Sequence, residues 1–307
     1  MADEPIPFDR SIDAKPDEPA QLSPLVRRLI ANNGGPFTFT GTCTYLVGTT
    51  EIAIIDPGPE NTSHRDALLN LIGNAKVKAI LVTHTHKDHS PGALALKSVT
   101  GAPILGPALP ATAPSLDPMR AQVLDAGHDR GYAPDRVLTE GDRIEGNGYS
   151  LDVLATPGHT SNHLAFALAQ ESSLFSGDHV MAWSTTVVAP PDGSMHAYMR
   201  SLAKLQSRAD AVLWPGHGGP VKEPQRFVRA LAHHRRQRER AILARVKAGD
   251  GTADKIARVV YAGLAPALRG AASLSVEAHL IHLAEQDLIA SDPQEGGTAF
   301  YRPKSFV

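Results

Sequence analysis

The chain has 307 residues, of which 42% are hydrophobic and 20% charged, and this ordinary globular balance excludes a wholly disordered protein. Thirty Lys and Arg against 32 Asp and Glu give a formal net charge of −2, so the charge of the whole chain cannot drive nucleic-acid binding. The single cysteine, Cys43, excludes an internal disulfide and a zinc site built from cysteines alone.

The first 20 residues are acidic and rich in proline, which predicts an extended N-terminal arm over residues 1–20. They lack the basic and apolar regions of a signal peptide. The aliphatic stretches of the chain are far shorter than the roughly 20 residues that span a bilayer. We therefore expect a cytoplasmic protein with no membrane partner.

From about residue 21 the pattern is typical of an α/β domain, which we predict to cover residues 21–221. The predicted strands are 44–47 and 52–55 (a hairpin), 77–82, 150–154, 163–169, 173–176 and 211–214. The predicted helices are 66–72, 93–99 and 194–206. Strands with helices between them predict sheets covered by helices.

A Pro/Gly-rich stretch, residues 214–220, precedes a region of different composition. From residue 222 to 307, basic residues outnumber acidic ones. The predicted elements there are helices over 225–247 and 271–289, a helix capped by Thr252, and a β segment over 298–301 after Gly296 and Gly297. The expected buried stripes are Phe227, Leu231, Ile242 and Val246 on one helix, and Leu274, Ala278, Ile281 and Leu288 on another. This pattern predicts a small helical, winged-helix-like domain over residues 222–307.

The strongest chemical signal follows the buried strand that ends near Val82. The sequence there is His84-Thr-His86-Lys-Asp88-His89, a pattern expected by chance only roughly 0.002 times in a chain of this composition. Alternate residues of an extended segment point the same way, so His84 and His86 can reach one metal ion. Asp88 and His89 lie one turn further on and can reach a second ion.

Three more predicted strands are each followed by a tight glycine turn and a side chain that can bind metal. The turns carry His159, Asp178 and His217. One such turn alone would more often be a turn-stabilising feature, but four strand ends followed by side chains that can bind metal indicate a shared site there.

These motifs resemble those of the metallo-β-lactamase superfamily over about residues 25–221. The resemblance implies a four-layer αβ/βα sandwich with two metal ions at one edge. The ligands it implies are His84, His86 and His159 for one ion, Asp88, His89 and His217 for the other, and Asp178 bridging both. Imidazole and carboxylate ligands suit two Zn²⁺ per chain, with Mn or Fe as alternatives.

The expected mechanism follows from the two ions. A water between ions about 3.5–4 Å apart becomes a hydroxide nucleophile, and Asp88 is the candidate proton carrier. Asp56 either orients a ligand or is a plain turn residue before Pro57.

Three further residues are candidates for contact with substrate. Tyr198 either hydrogen-bonds the substrate or packs its helix. His163 and His179 flank ligands, and either orient substrate or support the ligands.

One difference from the zinc β-lactamases and one closer resemblance narrow the choice of substrate. Asp178 stands where zinc β-lactamases have a cysteine, which argues against lactamase activity. The chain is similar to the glyoxalase-II-like group that contains the β-lactamase-like protein 2 endoribonuclease branch, in residues 38–47, 156–163, 198–202 and 214–218 and in its C-terminal winged-helix-like region. We expect a hydrolase of a small-molecule thioester or another activated ester.

The alternative function is an endoribonuclease on single-stranded RNA, with the C-terminal domain aiding binding. The basic segment 233–240 suits phosphate contacts, although a solvated helix face is the more ordinary interpretation. A third interpretation, a DNA-binding regulator, conflicts with the complete ligand set. The winged helix could instead cover the metal cleft or form a homo-oligomer.

Overall fold

The computed structural model describes residues 5–12, 14–110, 127–293 and 299–304 of the chain. Its strands form two large sheets and a small C-terminal sheet. Residues 1–4 of the predicted arm, together with Gly296, Gly297 and Thr298, lie outside the described residues.

The first sheet has seven strands, which follow one another in chain order from β1 to β7. They are β1 (Ala20–Gln21), β2 (Val26–Ile30), β3 (Cys43–Val47), β4 (Glu51–Ile55), β5 (Lys76–Leu81), β6 (Ile104–Gly106) and β7 (Arg136–Val137). Strands β1 to β4 pair antiparallel, which includes the predicted β3–β4 hairpin. Strands β4 to β7 pair parallel, so β4 and β5 end at the same edge of the sheet.

The second sheet has five strands in the order β12-β11-β10-β9-β8. They are β8 (Arg143–Gly146), β9 (Tyr149–Ala155), β10 (Leu164–Leu168), β11 (Ser173–Gly177) and β12 (Val212–Pro215). Both β9 and β11 pair antiparallel with β10, and β11 pairs parallel with β12. Strands β9, β11 and β12 therefore run in one direction and end at one edge.

Helices cover the outer faces of both sheets. Helices α1 (Thr62–Ile72) and α2 (Gly92–Thr100) pack on the first sheet, and α3 (Met195–Gln206) and α4 (Pro224–Lys247) pack on the second. Tyr45, Phe166 and Phe175 belong to the apolar core between the sheets. The order is helix, sheet, sheet, helix, which confirms the predicted four-layer fold class.

The C-terminal region is helical and ends in a two-stranded hairpin. Helices α5 (Ala253–Val260) and α6 (Arg269–Glu285) precede the antiparallel strands β13 (Ile289–Pro293) and β14 (Ala299–Pro303). Thr252 caps α5 as predicted, because its side chain accepts a hydrogen bond from the backbone N–H of Lys255. Helices followed by a β hairpin confirm the predicted winged-helix character.

Helix α4 belongs to two cores. Phe227 and Leu231 pack against the second sheet, whereas Ile242 and Val246 pack in the C-terminal core. The predicted boundary between residues 221 and 222 precedes this shared helix and stays a prediction. Among the described residues, every helix is too short or too polar to cross a membrane.

Some predicted elements differ from the structure. Helix α6 ends at Glu285 rather than 289, and Ile289 begins β13. The predicted buried stripe is therefore wrong in its second half, where Ile281 and Leu288 are exposed. Strand β2 was not predicted, because Arg27 and Arg28 interrupt its apolar pattern.

Glu239 of α4 pairs with two histidines of α6. Its Oε2 lies 2.7 Å from His282 Nδ1 and 3.2 Å from His279 Nδ1. Burial raises the pKa of Glu239, but the hydrogen bonds from the two histidines outweigh burial and lower this pKa from 4.5 to about 2. The ionised carboxylate therefore stabilises the contact between α4 and α6.

We expect Glu239→Gln to lower the free energy of unfolding by roughly 1–2 kcal/mol near pH 6. Because the folded-state pKa is depressed, the wild-type advantage is complete above about 4.5 and declines as the pH falls towards 2. Chemical denaturation of both proteins from about pH 6 to about pH 3 measures this difference. An unchanged difference across that range would contradict the assignment.

Candidate metal centre

Five strand ends carry the candidate site. Asp56 follows β4, and the residues from His84 to His89 follow β5. His159, Asp178 and His217 follow β9, β11 and β12. Since these strands end at the same edge of the sandwich, their turns meet. The structure brings all seven predicted ligands together in two clusters, within each of which the donor atoms lie within 4.8 Å of one another.

The first cluster, here called the imidazole cluster, consists of His84, His86 and His159. His84 Nε2 lies 3.0 Å from His86 Nδ1, and His159 Nε2 lies 3.1 Å from the same His86 atom. Three ring nitrogens therefore converge on one point, as three protein ligands of a single ion do.

The second cluster, here called the mixed cluster, consists of Asp88, His89, Asp178 and His217. Asp88 Oδ2 lies 3.1 Å from His217 Nε2 and 3.3 Å from His89 Nε2. Asp178 Oδ1 lies 3.5 Å from His89 Nε2, and Asp178 Oδ2 lies 3.4 Å from His217 Nε2.

Asp178 also reaches the imidazole cluster. Its Oδ2 lies 3.7 Å from His159 Nε2. The carboxylate therefore lies between the two clusters, where one side chain can bind two ions at once.

The far nitrogen of several rings has a partner that orients the ring. His159 Nδ1 donates to the carbonyl of Val187 at 2.7 Å, and His217 Nδ1 donates to the carbonyl of Gly41 at 3.2 Å. A proton on Nδ1 leaves a lone pair on Nε2, which faces the site. Such outer partners fix the tautomer of a metal-binding histidine.

Asp56 orients one histidine of each cluster, which supports the first of its two predicted interpretations. Its carboxylate accepts hydrogen bonds from the backbone N–H and the hydroxyl of Thr83, each at 2.8 Å. It also lies 2.9 Å from His89 Nδ1. Because the Thr83 hydroxyl donates to Asp56, it accepts from His84 Nδ1, at 3.0 Å.

The close approach of the acidic and basic groups depends on a glycine. A Cβ at Gly216 would lie 2.5 Å from Asp178 Oδ1 and 2.8 Å from His89 Cε1. Any side chain at this position would separate the strand ends. The glycine of the last turn therefore has a packing role beside His217.

Buried charges shift the pKa values in the site. Burial and neighbouring imidazoles lower the pKa of His84 well below its ordinary value and that of His86 to about 3. Burial raises the pKa of Asp178, but His217 and His89 outweigh burial and hold this pKa well below its usual range. Burial lowers the pKa of His217, but Asp178 and Asp88 together outweigh burial and raise it to about 9. A cation binding here would displace the proton of His217.

The residues present fit a pair of divalent cations. His89 Nε2 and Asp178 Oδ1 are buried and have no hydrogen-bond partner among the described residues. Buried polar atoms normally have partners, so these two atoms point to a missing ligand. Neutral imidazoles with carboxylates are the donors that Zn²⁺, Mn²⁺ and Fe²⁺ accept.

The three candidate substrate residues lie behind the donor atoms. Tyr198 is fully buried, and its hydroxyl donates to the carbonyl of His179 at 3.0 Å, so the structure places it in the core and not against solvent. His163 is buried and accepts from the backbone N–H of Asp178 at 3.1 Å. His179 is buried beside Tyr198, with 4.6 Å between the ring centroids.

One neighbouring histidine was missed by the sequence patterns. The His128 ring centroid lies 5.4 Å from that of His86. Its Nδ1 lies 2.6 Å from Thr85 Oγ1, and its Nε2 lies 3.2 Å from Asp192 Oδ2. Its partners Thr85 and Asp192 are distant in sequence, so no local motif linked it to the site.

Comparison with known families agrees with this geometry. The family described as the metallo-beta-lactamase superfamily matches residues 37–217, and the beta-lactamase associated winged helix domain matches residues 252–297. The chain therefore belongs to the metallo-β-lactamase superfamily of hydrolases. It carries the associated winged helix domain at its C-terminal side.

Two curated relatives have different names. The chain is 32% identical over 276 residues to a beta-lactamase-like protein 2 homolog of Caenorhabditis elegans, covering 88% of this chain and 87% of the relative. It is 29% identical over 228 residues to an atrochrysone carboxyl ACP thioesterase of Aspergillus fumigatus, covering 72% of this chain and 65% of the relative.

Solved structures share the fold. A beta-lactamase domain protein from Burkholderia ambifaria has a TM-score of 0.79 at 20% identity, covering 97% of this chain and 98% of that one. A metallo-beta-lactamase family protein from Thermus thermophilus has a TM-score of 0.74 at 24% identity, covering 92% of this chain and 100% of that one. The likeness extends through the C-terminal region.

We expect Asp56→Asn to weaken metal binding about ten- to hundredfold, because it removes the anionic acceptor that orients His89 directly and His84 through Thr83. Competition with a coloured chelator measures the affinity for Zn²⁺. The control is Asp66→Asn, which changes an exposed carboxylate on α1. Wild-type affinity in Asp56→Asn would leave Asp56 as a turn residue only.

Proposed function

We propose that the protein is a dinuclear metal-dependent hydrolase of thioesters or other activated esters, with Zn²⁺ as the first choice of metal and Mn or Fe as alternatives. The observation that carries this proposal is the convergence of seven donor side chains in two clusters that share Asp178. The proposed ligands are His84, His86 and His159 for one ion, and Asp88, His89 and His217 for the other, with Asp178 bridging.

Two divalent cations bound there would supply Lewis acidity, which activates a water molecule and polarises the scissile carbonyl. The protein holds the surrounding groups in place. Asp56, Val187 and Gly41 accept from the far nitrogens of the ring ligands, so the rings face the site in one tautomer.

Asp88 is the proposed proton carrier. Its side chain is 25% exposed, in contrast to the fully buried His89, so it lies at the open side of the mixed cluster. Burial raises its pKa, but the charges of His89 and His217 outweigh burial and hold this pKa well below its usual range. The ionised carboxylate can accept the proton of the attacking water and pass it to the leaving group.

The thioester is favoured over RNA by two observations. One relative that aligns over 72% of this chain is named an atrochrysone carboxyl ACP thioesterase. In addition, the basic segment 233–240 is partly used inside the protein. Arg235 is buried, and Arg238 donates to the carbonyl of Val260 at 3.2 Å and lies over the Tyr261 ring. Only Arg236 and Arg240 of its four arginines are exposed.

A substrate comparison tests the proposed function. We expect the Zn²⁺-loaded protein to hydrolyse an acyl N-acetylcysteamine thioester faster than the matching amide or a single-stranded RNA. Thiol release is followed with a chromogenic reagent. Removal of metal with a chelator should abolish hydrolysis, and Zn²⁺ should restore it.

The same comparison can decide for RNA. Metal-dependent, salt-sensitive cleavage of RNA without thioester hydrolysis would make RNA the substrate in place of the ester. The double variant Arg236→Gln with Arg240→Gln should then weaken RNA cleavage. No hydrolysis of any ester, thioester or RNA by the metal-loaded protein would contradict the proposed function.

We expect Asp88→Asn to lower kcat by about 10²- to 10⁴-fold, because it removes both the proton carrier and a ligand of the mixed cluster. Elemental analysis should show fewer metal ions per chain, because the mixed cluster loses its ion while the imidazole cluster keeps its own. Asp66→Asn on the surface of α1 is the matched control. Full activity in Asp88→Asn would remove Asp88 from the mechanism.

A further inference from the structure

Arg235 is a buried cation in the first helix of the C-terminal region. It is 2% exposed and is the largest fully buried side chain among the described residues. Burying a guanidinium is unfavourable unless the surrounding groups compensate its charge. It lies on α4 between the two cores that this helix joins, so the groups that compensate its charge can belong to either core.

The guanidinium contacts two groups of the catalytic region. Its Nη2 donates a hydrogen bond to the backbone carbonyl of Thr186. Its central carbon lies 5.1 Å from the centroid of the Tyr198 ring, within the range of a cation–π contact. A hydrogen bond from a charged donor is stronger than a neutral one, so this contact holds Thr186 firmly.

Both partners of Arg235 bind the backbone that carries Asp178. The Thr186 hydroxyl donates to the carbonyl of Asp178 and lies 3.2 Å from the carbonyl of His179. The Tyr198 hydroxyl donates to the same His179 carbonyl at 3.0 Å. Thr186 therefore links Arg235 to the backbone of Asp178, and Tyr198 links it to the backbone of the adjoining His179.

The residue after Thr186 reaches the imidazole cluster. The Val187 carbonyl accepts the hydrogen bond from His159 Nδ1. The Val187 side chain packs with Ala271 and Leu274 of α6. The C-terminal helices thus hold residues 186–187 at two points, and these residues in turn hold one donor of each cluster.

We propose that Arg235 is a positioning residue for the metal centre: through Thr186 and Tyr198 it sets the place of Asp178, and through the adjoining Val187 it sets the orientation of His159. This inference rests on the proposed function, because it takes Asp178 and His159 as metal ligands. The C-terminal region is then part of the metal site's support, in addition to any contact it makes with substrate.

The test compares Arg235→Met and Arg235→Lys with the exposed control Arg229→Met on the same helix. The full-length proteins are loaded with Co²⁺, whose visible spectrum reports the geometry of its ligands. We expect Arg235→Met to change that spectrum and to weaken Co²⁺ and Zn²⁺ binding about ten- to hundredfold. Arg235→Lys keeps a cationic donor and should recover part of the loss, while Arg229→Met should match the wild type.

A purely structural role predicts a different result. It would lower the thermal stability of the metal-free protein and leave the Co²⁺ spectrum and affinity of the folded protein unchanged, which would overturn the proposal. If Arg235→Met fails to fold, Thr186→Val decides, because it removes the hydroxyl bonded to Asp178 but keeps the carbonyl that Arg235 binds. A wild-type spectrum and affinity in Thr186→Val would then overturn the proposal.

The wild-type arm separates this inference from the proposed function. If the wild type binds two Co²⁺ and hydrolyses ester, but Arg235→Met does the same with an unchanged spectrum, only the inference fails. If the wild type binds no Co²⁺ or Zn²⁺, the proposed function fails first, and the inference fails with it.

Discussion

The candidate metal centre depends on one buried carboxylate, that of Asp56. It is 2% exposed and lies in the left-handed region of the backbone map, with φ of 51°, at the end of β4. From there it accepts the backbone N–H of Thr83, which leads the chain out of the neighbouring strand β5. The same carboxylate orients His89 directly and His84 through the Thr83 hydroxyl. A buried anion needs several donors, and here the donors that satisfy it include or adjoin one histidine of each cluster.

The support that orients the rings also creates a conflict which a bound cation would resolve. Because His84 Nδ1 donates to Thr83, the Nε2 lone pair of His84 faces His86 Nδ1 only 3.0 Å away. Low pKa values keep both imidazoles neutral, and a neutral His86 can offer at most one proton at Nδ1, although His159 Nε2 faces the same atom at 3.1 Å. At least one of the two facing lone pairs therefore has no donor at His86. In the mixed cluster, Asp178 Oδ1 is buried without a hydrogen-bond donor among the described residues. Unpartnered buried polar atoms also occur elsewhere among the described residues, but here they lie within a cluster of side chains that can bind metal, as is expected of a functional site.

The sequence predicted those parts of the protein whose signal is local. Strand β5 and the turns with His159, Asp178 and His217 could be predicted, because an apolar run followed by a glycine turn is visible within ten residues. Strand β2 was missed, since its arginines give it a mixed polarity near the edge of its sheet. His128 was missed because its partners Thr85 and Asp192 are distant in sequence. Tyr198 was suspected for its motif, but the close packing of α3 against Gly158 buries it.

Arg235 shows how a local pattern can be present and still be misread. By helical spacing it lies four residues after Leu231 and seven before Ile242, so it belongs to the apolar stripe of α4. Judged by its charge alone, Arg235 was assigned to the basic segment 233–240, which suits phosphate contacts. The contact with Thr186 uses that charge inside the protein instead. The excess of basic residues after residue 222 therefore overstates the charge available for nucleic acid, and a winged helix beside a metal site need not bind one. Its packing through Val187, Ala271 and Leu274 gives the domain a reason to accompany the catalytic fold even when the substrate is a small ester.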